Sequence, residues 1–292
     1  MKSLIICNTG SDSISKLSIE NFLSEEIFLT TGERPLGPSG ICINENIAYT
    51  ANSYSNSISI INMDTLKEKN SIYIGAHPND LVRYKNSLYI ICSESNTIII
   101  YDLKENKIAL EIHVNNWPHN IEVSKELGLI FVSNFQSNNV SVIDINTNKV
   151  IKDITTLEYP TKIKVSKDKR LLYVCESYMG DDKEGYIEVF NLSRLESLAR
   201  IKVGKVPIDI VEDEEGIYVC NFVDGTLSII NKRDFSNLSK MNLGGMPKSI
   251  VKYGETTFVS DYLNGRVMCI NLKKNKIKVI TVGKEPNAMT LY

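Results

Sequence analysis

The feature that most constrains this chain is a series of prolines at nearly constant spacing. Seven of its eight prolines are separated by 40, 40, 42, 47, 40 and 39 residues. They are Pro38, Pro78, Pro118, Pro160, Pro207, Pro247 and Pro286. An apolar residue follows three positions after each one. Because a proline at the first position of a strand removes no ladder hydrogen bond, each proline is predicted to begin a strand.

Each interval between these prolines contains three further short runs, which predicts four strands per unit. In one unit the runs are "IYVC" (217–220), "LSIIN" (227–231) and a fourth run before the next proline. A polar turn with Asn or Gly, here Gly225, separates the second run from the third. Four strands repeated at this period are typical of a β-propeller blade. A single such sheet cannot bury both faces, whereas blades stacked around an axis can.

The two ends of the chain are predicted to share one blade. Residues 286–292 supply one strand, and the first 37 residues supply the runs "SLIICN" (3–8), "SISKLSI" (13–19) and "EIFLTTG" (26–32). Sharing a blade removes free sheet edges. We therefore predict one all-β domain over 1–292, a seven-bladed β-propeller with four-stranded blades closed by the C-terminal strand. The predicted blades are 286–292 with 1–37, then 38–77, 78–117, 118–159, 160–206, 207–246 and 247–285.

Several second strands resemble a known repeat. The runs "IAYTAN" (47–52), "FVSN" (131–134) and "YVCN" (218–221) resemble the Tyr-Val-Thr-Asn repeat that names the YVTN family of β-propellers. Two further runs are also similar to that family: "VSVIDINTNKV" (140–150), in which apolar and polar residues alternate, and "VGKVP" (203–207), which leads to the next proline. The resemblance covers essentially the whole chain and implies the propeller fold. It implies no single activity, because that family includes surface-layer modules and binding proteins.

Composition excludes some classes of partner. The net charge is −2 and the isoelectric point about 6.0, so no strong positive field attracts nucleic acid or an anionic membrane. The longest apolar runs are strand-sized, well short of the roughly 20 residues of a membrane span. The start of the chain, "MKSLIICNTGSDS", has too short an apolar stretch for a secretory signal. We expect a cytoplasmic protein that binds neither nucleic acid nor membrane.

The six cysteines are predicted to be reduced and structural. Nearly all lie within apolar runs, where a thiol behaves as a small buried hydrophobe. No C-x-x-C pair occurs, which argues against a zinc site. The acidic loop "SYMGDDKEGY" (177–186) lacks the EF-hand spacing for calcium. No metal site and no cofactor are indicated.

By analogy with other propellers, the loops around the prolines and after the second strands are predicted to meet at a channel mouth. Aligning the units places Asn8, Asn52, Cys92, Asn134, Glu176, Asn221 and Asp261 at one equivalent position. Half-buried aromatic and polar side chains are the usual lining of a small-molecule site. The predicted ligand-binding residues are His77, Asp80, Trp117, His119, Asn134, Phe135, Glu176, Tyr178, Asn221, Phe222, Lys248, Asp261 and Tyr262.

Each of these residues also has a structural interpretation. Asn at the end of a strand tolerates turn geometry, so the asparagines could serve only to end strands. Trp117 could pack between blades. Glu176 and Asp261 depart from the common Asn, and this departure is what favours a functional role for that position.

On these grounds the sequence favours a non-catalytic binding or scaffolding propeller over an enzyme. The H-E-x-x-H, G-x-S-x-G and P-loop motifs are absent from the sequence. The partner would be a small molecule or a protein at the channel mouth. The alternative is a propeller enzyme of the lactonase or lyase type, using Glu176, Asp261, His77 and His119 at the same mouth. A structural role in a surface or coat assembly is the third possibility.

Overall fold

A computed structural model describes residues 2–29 and 34–292 of the chain. The described residues form 28 strands in seven four-stranded antiparallel sheets, with a single 3-10 turn at Thr9–Ser11. The protein is an all-β, seven-bladed β-propeller, as the proline spacing predicts. Each proline of the series is the first residue of a strand.

The strands of the first four blades follow the order of the chain, except that the last strand joins the first blade. Blade 1 contains β28 (Pro286–Leu291), β1 (Ser3–Asn8), β2 (Ser13–Ser18) and β3 (Ser24–Phe28). Blade 2 contains β4 (Pro38–Asn44), β5 (Ile47–Asn52), β6 (Ser57–Asn62) and β7 (Lys67–Tyr73). Blade 3 contains β8 (Pro78–Tyr84), β9 (Ser87–Cys92), β10 (Thr97–Asp102) and β11 (Lys107–His113). Blade 4 contains β12 (Pro118–Ser124), β13 (Leu129–Asn134), β14 (Asn139–Asp144) and β15 (Lys149–Thr155).

The remaining three blades have the same order of strands. Blade 5 contains β16 (Pro160–Val165), β17 (Leu171–Glu176), β18 (Tyr186–Asn191) and β19 (Glu196–Lys202). Blade 6 contains β20 (Pro207–Glu212), β21 (Gly216–Asn221), β22 (Thr226–Asn231) and β23 (Asn237–Asn242). Blade 7 contains β24 (Pro247–Tyr253), β25 (Thr256–Asp261), β26 (Arg266–Asn271) and β27 (Lys276–Thr281).

Closure of blade 1 by the C-terminal strand is confirmed. Strand β28 pairs antiparallel with β1, with Leu4 opposite Leu291 and Ile5 opposite Thr290. Ser3 and Tyr292 exchange two backbone hydrogen bonds, of 2.9 and 2.8 Å. Of the predicted run 26–32, strand β3 includes residues as far as Phe28, and residues 30–32 lie outside the described part of the chain.

Contacts divide the chain into two compact units. The first holds residues up to 95 with 99–111 and 251–292, and the second holds 96–98 and 112–250. In the second unit, Phe131 of blade 4 packs in one core with Leu172 of blade 5. In the first unit, Ile58 of blade 2 packs likewise with Leu88 of blade 3. The single-domain interpretation and the exact blade boundaries stay predictions.

The position of a strand within its blade decides how much of it is buried. Second strands such as β13 and β17 are buried along almost their whole length, whereas fourth strands such as β15 and β27 are mostly exposed. All six cysteines are free thiols, and all except Cys42 are buried. Within the described residues, no helix has the length and apolar character needed to cross a membrane.

Candidate functional site

The aligned residues at the ends of the second strands form buried hydrogen-bond networks inside their own blades. In blade 4, Asn134 Nδ2 donates to Asn139 Oδ1 at 2.7 Å and to Ser141 Oγ at 2.9 Å. Asn8, Asn52 and Asn221 make the same pair of bonds, to residues five and seven positions on. Because these amides are fully buried and hold the second strand to the third, their geometry matches the structural interpretation.

Blade 5 replaces this amide network with a pair of carboxyl groups. Glu176 Oε1 accepts the backbone N–H of Leu157 at 2.8 Å, and Glu188 Oε1 accepts Arg200 Nε at 3.0 Å. Both glutamates are buried. Burial raises the pKa of Glu176 to about 9, and its hydrogen bond to Glu188 adds to the shift. At neutral pH, the Glu176 carboxyl group is therefore protonated.

In blade 7, which belongs largely to the first unit, the equivalent position also carries an acid. Asp261 is fully buried, and its Oδ2 accepts Arg266 Nε and Asn264 Nδ2, each at 2.8 Å. The adjacent Tyr262 is half-buried and donates its hydroxyl to Glu285 Oε2 at 3.0 Å. The Asp261 carboxylate is thus held by partners within its own blade.

The residues just before six of the seven series prolines have left-handed backbone conformations, and three of them carry large aromatic or imidazole rings. His77, Trp117 and Tyr159 have φ values of 55°, 56° and 55°. Such values are uncommon for side chains of this size and mark places that the surrounding structure holds. Each backbone N–H donates to an asparagine side-chain oxygen of the preceding blade: Asn56 for His77 at 2.9 Å, Asn96 for Trp117 at 2.8 Å and Asn138 for Tyr159 at 3.0 Å.

Two predicted site residues of the first unit lie near the start of β8. The half-buried His77 has Nδ1 4.0 Å from Glu94 Oε1, and burial lowers the pKa of its imidazole. Asp80 Oδ1 accepts the backbone N–H of Leu81 at 2.9 Å.

In the second unit, a group of charged side chains lies at the starts of three first strands. Lys162 on β16 has Nζ 3.8 Å from Asp209 Oδ1 on β20. Asp209 Oδ2 accepts Ser249 Oγ and the N–H of Ile250 on β24, each at 2.9 Å. Asp209 is buried, so the carboxylate joins the strand starts of blades 5, 6 and 7.

Lys248 completes this group, which we call the lysine cluster (Lys162, Asp209 and Lys248). Its Nζ lies 5.7 Å from the centre of the Phe222 ring. Among the described residues, Lys248 has no ion pair within 4.0 Å. Removal from water lowers the pKa of Lys248 to about 8; the Asp209 carboxylate opposes this shift and the Lys162 ammonium reinforces it. About a fifth of this amine is therefore neutral at pH 7.4, far more than for an ordinary lysine.

Three half-buried rings lie beside the cluster within the second unit. The ring of Phe135 stacks on His119 with centroids 5.6 Å apart and tilts against Tyr159 at 4.9 Å. His119 Nδ1 lies 3.0 Å from the carbonyl oxygen of Thr161, the residue before Lys162. The structure thus brings His119 and Phe135 together next to a lysine.

The acidic loop 177–185 is neutralised by lysines. Asp181 pairs with Lys183 at 2.7 Å, and Asp182 pairs with Lys205. Glu184 pairs with Lys202 at 2.7 Å. Tyr178, half-buried at the start of this loop, has the Lys183 ammonium 5.5 Å from its ring centre. Across the described residues, His, Cys, Asp and Glu side chains form no group of three or more suited to a metal.

Lys162, Asp209 and Tyr159 are missing from the residues predicted from the sequence to bind a ligand. Lys162 and Asp209 both lie two positions after a series proline, where blade 4 has Asn120. Asn120 Oδ1 accepts the N–H of Ile163 at 2.9 Å, just as Asp209 accepts that of Ile250. The other units have Gly40, Asp80, Ser249 and Ala288 at this position, so it has no common residue and the repeat gave no signal that could have identified the cluster.

The fold is similar along its whole length to solved structures. A candidate 6-phosphogluconolactonase from Bacteroides fragilis has 11% identity and a TM-score of 0.81, with coverage of 100% of this chain and 98% of that chain. One from Bacteroides uniformis has 13% identity and a TM-score of 0.80, covering 100% and 99%. A functionally unknown protein from Desulfotomaculum acetoxidans has 13% identity and a TM-score of 0.81, covering 99% and 98%. No protein-family model and no curated protein matches the sequence.

These comparisons correct the functional prediction made from the sequence. A non-catalytic binding or scaffolding propeller is the wrong main interpretation, because two of the similar full-length structures are candidate enzymes. The lactonase-type alternative is the better supported of the two. The prediction was wrong because the uniform repeat and the missing motifs are properties of the scaffold. A site on a propeller is formed by single residues that differ from the repeat, and neither property reports on them.

Proposed function

We propose that the protein is a propeller hydrolase of the lactonase type, acting on a small lactone that carries an anionic group. The observation that carries this proposal is the lysine cluster, in which a partly desolvated amine on β24 and an anchored ammonium on β16 lie on either side of Asp209 on β20. The full-length similarity to candidate 6-phosphogluconolactonases supports the choice of reaction.

The cluster has groups suited to the opening of a lactone. Water must lose a proton as its oxygen adds to the lactone carbonyl, and the ring oxygen must gain a proton as the carbon–oxygen bond breaks. In this proposal, the neutral Lys248 amine accepts the proton from water and returns it to the leaving oxygen. The Lys162 ammonium, anchored by Asp209, stabilises negative charge on the substrate.

The remaining predicted site residues take two roles in this proposal. His119, Phe135 and Phe222 border the cluster and shape the substrate site. The others support the strand ends: His77, Asp80, Trp117, Asn134, Glu176, Tyr178, Asn221, Asp261 and Tyr262. We further propose that the chain is a YVTN-type repeat protein that forms a single domain over 1–292. In this proposal the protein is cytoplasmic, its partner is a small molecule, and it binds neither nucleic acid nor a membrane.

A proton-release assay tests the function. Purified protein is mixed with 6-phosphogluconolactone, glucono-1,5-lactone or dihydrocoumarin, and the acid formed is followed with a pH indicator. We expect the anionic lactone to be hydrolysed with the highest kcat/KM. Losing a general base typically slows a reaction by roughly a hundredfold or more, so Lys248→Met should lower kcat by that factor.

Lys252→Met is the matched control, because Lys252 lies on the same strand and its Nζ contacts Thr257 Oγ1 at 3.5 Å. This variant should retain full activity. Hydrolysis of all three lactones at the rate of the uncatalysed reaction would refute the proposed function.

A further inference from the structure

We propose that Lys248 is a nucleophile that forms an imine with a small aldehyde or ketone carrying an anionic group. The inference concerns the same site as the proposed function, but it does not depend on lactone hydrolysis. It adds a second class of ligand, carbonyl compounds, and a covalent mode of binding.

The surroundings of Lys248 favour a reactive amine. A lysine becomes nucleophilic when it is desolvated or lies beside another cation, because both conditions favour the neutral form. Lys248 meets both conditions, because its side chain is partly removed from water and the Lys162 ammonium lies close enough to lower its pKa. Among the described residues no carboxylate lies within 4.0 Å of its Nζ, whereas Lys162 Nζ lies 3.8 Å from Asp209.

The backbone that carries Lys248 is fixed. Ser249 Oγ and the Ile250 N–H both donate to Asp209 Oδ2 at 2.9 Å, directly after Lys248 in the chain. Pro247 fixes the backbone on the other side. The amine therefore extends from a rigid base, which lowers the entropy lost when it is held against a carbonyl carbon.

Lys162 supplies the selectivity for an anion. Its ammonium is held near Asp209, and an anionic substituent on the ligand can pair with it while the carbonyl meets Lys248. Nζ of Lys248 adds to the carbonyl carbon to give a carbinolamine. The carbonyl oxygen then leaves as water with the two amine hydrogens, and a carbon–nitrogen double bond remains. The step requires no oxidant or reductant.

Reductive trapping tests the inference. The protein is incubated at pH 7.5 with pyridoxal 5′-phosphate, an anionic aldehyde, then reduced with borohydride, and the labelled peptides are mapped by mass spectrometry. An amine with a pKa of about 8 has a neutral fraction roughly a hundredfold above that of an ordinary lysine. We expect Lys248 to be labelled at least tenfold faster than Lys252 and the other lysines.

Two variants make the result decisive. Lys248→Met should lose the fast label. Lys162→Met, which keeps the amine, should slow labelling by pyridoxal 5′-phosphate about tenfold, the effect expected from one lost ion pair of about 1.4 kcal/mol. The same variant should slow labelling by pyridoxal, which lacks the phosphate, by a smaller factor, because with pyridoxal only the effect of the Lys162 charge on the Lys248 amine is lost.

Labelling of Lys248 no faster than that of Lys252 would overturn the inference. So would a Lys162→Met variant in which labelling by pyridoxal 5′-phosphate and labelling by pyridoxal are slowed by the same factor. Trapping at Lys248 without lactone hydrolysis would refute the proposed function alone. Hydrolysis that depends on Lys248, without trapping there, would refute this inference alone.

Discussion

The end of each second strand pairs with the start of the first strand in the same sheet, yet the side chains at these two positions differ in burial and in hydrogen-bond partners. In blade 4, Pro118 lies opposite Asn134, and in blade 5, Pro160 lies opposite Glu176. The second-strand ends are fully buried, and an asparagine such as Asn134 bonds to the third strand of its own blade, although Glu176 and Asn221 also accept an N–H from the preceding blade. The first-strand starts include half-buried side chains, such as Lys248, and bonds from one blade to the next. Stability and chemistry are therefore assigned to different positions of one repeat.

Blade 5 shows that a charged residue alone does not mark a site. Glu176 departs from the common Asn, but it is buried with a raised pKa and accepts a backbone N–H, as a structural residue does. Lys162 occupies a position that varies from unit to unit, and its ammonium lies half-exposed beside Asp209. What distinguishes the two residues is access to a ligand, which burial denies to Glu176.

The largest loss of stability should come from removing a whole first strand rather than one of its side chains. Deleting residues 286–292 removes β28, which pairs with β1 and closes blade 1. The deletion exposes the edge of β1, and we expect loss of the cooperative unfolding transition and aggregation. Circular dichroism melting checks this. A deleted chain that melts within about 2 °C of the full chain would contradict the shared blade.

Glu176→Gln should make the stability of the protein less dependent on pH. The pKa of Glu176 is about 9 in the folded protein, above the ~4.3 of an unfolded chain, so folding binds a proton between these values. The stability that depends on this proton is present at low pH and lost as pH rises toward 9. Gln mimics the protonated carboxyl, so the variant should gain about 2–4 kcal/mol relative to wild type between pH 5 and pH 8.

Denaturant unfolding at several pH values measures this difference. Glu105→Gln, at an exposed glutamate, is the control and should follow the wild-type profile. A Glu176→Gln variant that is equally destabilised at pH 5 and pH 8 would show that Glu176 is not protonated in the folded protein.

A smaller loss of stability is expected in blade 4. Asn134→Ala removes both side-chain bonds to β14 and leaves buried partners unsatisfied, which should cost about 1–3 kcal/mol. The folded variant should keep its lactonase kcat, because Asn134 lies outside the lysine cluster. Asn146→Ala, at an exposed turn, should change neither quantity. Loss of kcat without loss of stability in Asn134→Ala would move the site to the second-strand ends.

The sequence predicted the fold because the fold follows from local signals repeated seven times. A proline at each strand start, alternating runs and turn residues such as Gly225 all occur within one unit, and the incomplete units at the two ends predicted closure. The candidate site is different, because its contacts join positions far apart in the chain. Lys162 and Asp209 are 47 residues apart, and only the stacking of blades places them 3.8 Å from each other.

The ion pair between Glu188 and Arg200 in blade 5 was unpredictable for a related reason. Glu188 meets Arg200 across β18 and β19, and the pairing register of these strands shifts between Val189 and Phe190. A shift of one residue moves a side chain to the other face of the sheet, and no local pattern in the sequence specifies it. Partners across such a shift become visible only in the structure.

The pH dependence of lactone hydrolysis by wild type and Lys248→Met tests the central claim most directly, because the claim assigns the chemistry to the lysine cluster. We expect kcat/KM of the wild type to rise with an apparent pKa of about 8, as the Lys248 amine loses its proton. The Lys248→Met variant should retain the wild-type melting temperature, hydrolyse the anionic lactone at least a hundredfold more slowly and lack this rise. A Lys248→Met protein with undiminished kcat/KM and the same pH profile would contradict the account.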